Sequence, residues 1–129
     1  MAKTSKIIYW VATLWLSLGM TATGIVQLIR NKDEIALMNH IGFPAYLLTW
    51  IAVWKFLGVI AVLSPKLPLV KEWAYAGFFF CMAGAIYSHI VVSDGFKEIF
   101  GPMLLLVLTV TSWCFRPADR KIISAVKPV

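Results

Sequence analysis

Charge is scarce in this chain. Asp, Glu, Lys and Arg make up only 14% of its 129 residues, against about 25% in a soluble domain. Apolar residues make up 60%, and a chain long enough for one domain has too little interior to hide them all from water. The excess must face lipid. Cysteine is nearly absent, with only Cys81 and Cys114, both in apolar runs and without a CxxC pair. That excludes a disulfide framework, and thiols packing as small hydrophobes are expected. No HExxH, nucleophile elbow, phosphate-cradling glycine loop or pair of intramembrane carboxylates occurs, so the usual hydrolytic and phosphoryl-transfer chemistries have no carrier. The twelve Lys and Arg outnumber six acids, yet they sit at segment ends rather than on one stripe. That arrangement orients a membrane protein and does not bind nucleic acid.

Four apolar runs remain, each near the roughly 20 residues that a membrane helix needs. They cover residues 7–29, 43–63, 72–92 and 100–115. The first has no charge and is too long for a signal peptide's apolar core, so it is read as a retained helix. Asn31, Lys32, Asp33 and Glu34 close the first span. Gly42 and Pro44 open the second, and residues 64–68, Ser-Pro-Lys-Leu-Pro, turn into the third. Ser93-Asp94-Gly95 ends the third, Pro102 sits in the first turn of the fourth, and Pro117 stops it. The expected fold is a single all-α domain, a polytopic four-helix membrane bundle.

Orientation follows from the basic residues. One side holds Lys3, Lys6, Lys66, Lys71, Arg116, Arg120, Lys121 and Lys127, the other only Arg30, Lys32 and Lys97. The positive-inside rule then places both termini in the cytoplasm, with the protein in the cell's inner (plasma) membrane.

Between lipid-immersed helices, small residues and interhelical hydrogen bonds must supply the packing. The third span carries Ala74, Gly77, Cys81, Gly84 and Ser88 on one face, and the first carries Thr13, Ser17, Thr21, Gly24 and Gln27. Both stripes are read as packing seams. Lys55 stands apart, about two turns inside the second span. A lysine at that depth faces the bundle interior and needs a partner. It is either a structural lysine bonded to hydroxyls and carbonyls, or a charge that binds an anionic or quinone-like group or relays a proton. On the outer side Gln27, Asn39, His40, Tyr87, Ser88, His89 and Asp94 gather. A histidine with an amide can donate to and accept from a carbonyl pair, as a quinone head requires. His89, with Gln27 or His40, is therefore expected to line a small cavity. Two histidines without a third ligand do not make a metal site.

Residues 38–44, Met-Asn-His-Ile-Gly-Phe-Pro, and 54–58, Trp-Lys-Phe-Leu-Gly, resemble the DoxX-like family of small bacterial four-helix membrane proteins. So do Lys71 to Phe80, then Gly84-Ala85 and Ser88-His89, and the resemblance runs from about Gly19 to Phe115. It implies that Lys55, Glu72 and His89 occupy family-typical positions. The family often has an aspartate after the triple phenylalanine, where this chain has Cys81. A membrane ion pair with Lys55 is thereby lost, leaving Lys55 to Glu72, to hydroxyls or to a ligand.

Related proteins are associated with quinone-linked oxidoreductase systems and redox stress, and distant ones with membrane assembly. The leading expectation is thus an accessory or anchor subunit of a redox system, handling a quinone-like molecule at Lys55, His89, His40, Gln27 and Glu72. Its partners are the bilayer, a membrane or redox protein and further copies of itself. The alternatives are a non-catalytic assembly protein and a small-molecule or proton carrier. The chain holds no electron carrier, so any redox work needs a bound cofactor or a partner.

Overall fold

The computed structural model describes residues 3–117; Arg120, Lys121 and Lys127 of the charge count lie outside them. The described residues form five helices and no strand: α1 Lys3–Leu28, α2 Lys32–Ile41, α3 Leu47–Leu63, α4 Pro68–Val91 and α5 Phe96–Cys114. The helices α1, α4 and α5 are long and apolar enough to cross a membrane, and α3 is a shorter apolar helix.

The four apolar runs all become helices, with shifted ends. The largest correction is α2, expected as a polar connection. Asn31 caps it, its side-chain oxygen accepting from the backbone N–H of Asp33 at 2.9 Å. Asp33 and Glu34 in the first turn and His40 in the last suit the helix dipole. Gly42 ends it at φ 90°, a left-handed position that suits glycine, with its N–H reaching Met38 O at 2.9 Å. Consequently Asn39 and His40 are the last turn of α2 and do not merely precede α3. Pro44 does not sit within α3 either. It opens a tight turn in which Leu47 N–H bonds back to Pro44 O at 3.2 Å.

Two prolines also move. Pro68 is the first residue of α4, where its missing N–H costs little, so Glu72 lies one turn inside the helix. Pro102 lies in the interior of α5, which begins at Phe96. It leaves the carbonyl of Glu98 without its helical partner, which the chain tolerates beside a cavity.

The helices close a ring in the order α1, α3, α4, α5, with α2 touching α4 across the top. The core joins Ala12, Leu16 and Met20 of α1 with Val59 and Val62 of α3, Tyr75, Phe78 and Met82 of α4, and Leu108 of α5. Thr13 of α1 meets Ser112 of α5, so the start of α1 and the end of α5 share one end of the bundle, the terminal end. The outer surface is apolar: Leu18, Phe80 and Trp73 are about two-thirds exposed, as lipid contact requires.

Burial corrects one expected seam. On α1, Thr13, Ser17, Gly24 and Gln27 are buried and Thr21 is half-buried, as a packing stripe should be. On α4 the buried residues are instead Lys71, Tyr75, Phe78, Met82 and His89. Gly77 and Gly84 are exposed, and a Cβ added at either would meet nothing within 4 Å. The glycines of the α4 stripe face open space, while Ala74 and Cys81 are half-buried against the core.

Candidate binding site

That open space is a cavity of about 1040 Å³ between α3 and α4. Its formation can be followed from α3. Leu48, Ala52, Lys55, Val59 and Val62 recur at three- and four-residue spacing and point inward, so Lys55 is carried into the bundle among aliphatic neighbours. The tight point of the α3–α4 seam is Gly58, where an added Cβ would lie 2.6 Å from the Phe78 ring. Only glycine there lets the ring seat. Beside this contact lies the cavity, walled by Trp50, Trp54, Leu57, Trp73, Gly77 and Cys81, among others.

Polar groups collect in one part of it. Lys55 is 5% exposed, and its Nζ donates to Thr23 Oγ1 at 2.9 Å. The Thr23 hydroxyl donates onward to Gly19 O at 3.0 Å, leaving its lone pairs for the ammonium. Lysine has three N–H donors, and among the described residues one hydrogen bond is formed by Nζ. Gln27, also about nine-tenths buried, lines the cavity, and its Oε1 has no hydrogen-bond partner. Ser88 and His89 complete this part, and Glu34 and Met38 of α2 roof it.

Behind His89 stands Asp94. His89 Nδ1 and Asp94 Oδ2 are 2.6 Å apart, and His40 Nε2 and Asp94 Oδ1 are 2.8 Å apart. One carboxylate thus bridges two imidazoles and pins the end of α2 to the end of α4. Hydrogen bonds from His89, then from His40, hold the Asp94 carboxyl below the usual carboxylate range. His89 is buried and lines the cavity, while His40 lies outside it at the rim. Among the described residues no three His, Cys, Asp or Glu side chains could hold a metal ion.

Glu72 lies elsewhere. At the terminal end it pairs with Arg116 at 3.1 Å and accepts from Trp113 Nε1 at 2.8 Å, with the Arg116 guanidinium 4.6 Å over the Trp113 ring. It ties α4 to α5 and leaves Lys55 alone. Of the five residues singled out in the sequence, Lys55, Gln27 and His89 therefore share the cavity, His40 braces its rim and Glu72 does not reach it. Both cysteines are free thiols. Cys81 lines the cavity half-buried, and Cys114 is exposed rather than packed inside.

Sequence reasoning missed Thr23, Glu34 and the bridging role of Asp94, since nothing in a single chain marks a threonine or carboxylate as partner to a residue on another helix. It also took Lys71 for a loop charge. Lys71 is fully buried; its Nζ donates to Ala61 O and Lys66 O, each at 2.8 Å, and to Ser64 O, capping the end of α3. A cation in the first turn of its own helix is unfavourable to the dipole, and that anomaly was the available signal.

A chain whose described residues are helical, with three bilayer-length apolar helices, an apolar exterior and a mostly apolar cavity bearing a few polar groups, is an integral membrane protein. The DoxX-like family's model matches residues 11–112, and the chain belongs to that family. No curated protein and no solved structure matches it.

Proposed function

We propose that this protein binds a quinone-like amphiphile in the α3–α4 cavity and serves as an accessory or anchor subunit of a quinone-linked redox system. The observation that carries this reading is Lys55, a buried ammonium with unspent N–H donors on the wall of an otherwise apolar cavity. A cation left under-bonded in a membrane interior is costly, and a ligand carbonyl or phenolate oxygen would remove that cost. Gln27 beside it supplies an amide able to serve either redox form of such a head. Small-molecule sites typically occupy roughly 300–1,000 Å³, so the volume suits a whole ring with its substituents.

In the same reading α1, α3, α4 and α5 are four spans with both termini cytoplasmic, in the plasma membrane. The basic residues at the terminal end support that orientation. A redox partner or a bound cofactor would supply the electron carrier, with further copies of the chain assembled beside it.

Trp50, Trp54 and Trp73 line the cavity, so a quinone should quench their fluorescence. A short-chain benzoquinone titrated into the protein in nanodiscs is expected to give saturable quenching. Lys55→Met should weaken binding by about 10- to 100-fold, the worth of one hydrogen bond to a charged group. Absence of saturation in the parent, or equal affinity in folded Lys55→Met, would discard the reading.

A further inference from the structure

The cavity is not polar throughout, and its two parts differ along the length of α4. Thr23, Gln27, Lys55, Ser88 and His89 occupy the part nearer α2. Toward the terminal end the lining becomes Leu57, Ala61, Val70, Trp73, Ala74 and Gly77, with no charge and the Trp73 indole N–H as the one hydrogen-bonding side-chain group among these six. From Val70 to His89 the lining spans about 28 Å at a helical rise of about 1.5 Å per residue, close to the roughly 30 Å hydrocarbon thickness of a bilayer. A compact head alone would fill only the upper part.

Gly77 marks the lower part. It is exposed, and a Cβ built there meets nothing within 4 Å. Glycine is a poor helix former, so at this position it keeps a surface low without serving any contact inside the chain. The polar end of the same groove carries the independent sign of a ligand: the Gln27 amide, about nine-tenths buried, with an oxygen that has no partner.

We infer that the natural ligand is a long-chain amphiphile whose head sits at Lys55 and Gln27 and whose apolar chain runs over Ala74 and Gly77 toward the terminal end. The small residues of α4 form a chain-binding groove that selects ligands bearing an unbranched or prenyl-type tail. The inference rests on the head site of the proposed function, and its test separates the two. The occupant is a free amphiphile rather than a helix because the groove divides into a polar and an apolar part, as such a molecule does.

The experiment compares two benzoquinones with the same head, one without a tail and one with a decyl tail, by tryptophan quenching in phosphatidylcholine nanodiscs. Concentrations are expressed per lipid so that partitioning cancels. The parent is expected to bind the tailed compound about tenfold more tightly than the tailless one, through packing of the tail in the groove that is closer than its contacts with lipid. Gly77→Leu should erase that gain, bringing the two compounds to within about twofold of each other. Gly77→Met, unbranched and a good helix former, is the second variant if the first melts early, and is expected to erase the gain in the same way.

An undiminished gain in either folded variant overturns the groove and leaves the head site standing. The same holds if Gly77→Leu instead dissociates a dimer, or releases a co-purified phospholipid seen by mass spectrometry without altering quinone binding. Failure of both compounds to bind the parent overturns head site and groove together.

Discussion

Two polar clusters inside this bundle each include a threonine of α1 and end differently. Where α1, α4 and α5 meet near the terminal end, Thr13 Oγ1 and Tyr75 OH each lie within hydrogen-bond distance of Ser112 Oγ, at 2.6 and 2.7 Å. All three are buried and partnered. Where α1 faces α3 further along, Gln27 and Lys55 are buried and Thr23 half-buried, yet donors and an acceptor stay unused. The first cluster holds helices together, because in lipid each such bond replaces an unsatisfied group rather than a hydrated one. The second keeps its hydrogen-bonding capacity in hand beside an opening. Buried atoms without a partner also occur at Ser17 Oγ and at Arg116 Nε and Nη1, but Gln27 and Lys55 differ from these in lining the α3–α4 cavity.

The contrast can be broken at the closed end first. Lys71→Met should cause the largest stability loss, about 3 kcal/mol, by leaving carbonyls at the end of α3 without their buried charged donor. It would be read as a lower melting temperature in detergent, and an unchanged one would mean the cap is dispensable. Ser112→Ala removes the hub of the three-residue network. Interhelical hydrogen bonds in membranes are worth about 0.6 kcal/mol on average and up to about 1.7, so a loss of about 1–3 kcal/mol is expected with quinone quenching unchanged. Lys55→Met is the mirror image, with binding weakened about 10- to 100-fold and melting little altered. If Ser112→Ala abolished binding and Lys55→Met abolished folding, the division between the two clusters would be the wrong one.

The smallest effect belongs to the α2 brace. Asp94→Asn replaces the carboxylate that both imidazoles share, and should speed hydrogen exchange across residues 33–41 without shifting global melting. The same brace carries a pH signature. A carboxyl held below its ordinary value contributes fully above about pH 3.9 and loses its contribution as the pH falls through the lowered value. Acid loosening of α2 at a higher pH in the parent than this would contradict the bridged geometry as its cause.

The membrane class and the positions of the long helices were legible in the chain because they depend on run length and composition. So was the inward turn of Lys55, since a lysine inside an apolar span has few places to go. The short helix α2 was not, because ten residues with a weak apolar face sit inside the boundary signals of their neighbours. The start of α5 was misjudged because Pro102 reads as a first-turn proline, whereas the helix begins six residues earlier and absorbs it. Within the site, His89 and Gln27 were placed together correctly by depth. Glu72 was not excluded, because the sequence says how far along a helix a side chain lies but not which neighbour it meets.

By itself, then, the sequence determined that this chain belongs in lipid, that it is helical and that Lys55 lies inside. These follow from the cost of charge and of unpaired backbone in hydrocarbon, which any arrangement of the helices must meet. Only the tertiary structure decided which polar groups find partners. It put Ser112 against Thr13 and Tyr75, gave Glu72 to Arg116, and seated Phe78 on Gly58 beside the α3–α4 cavity. Helix order and rotation set those pairings, and both arise from side-chain packing between residues far apart in the chain.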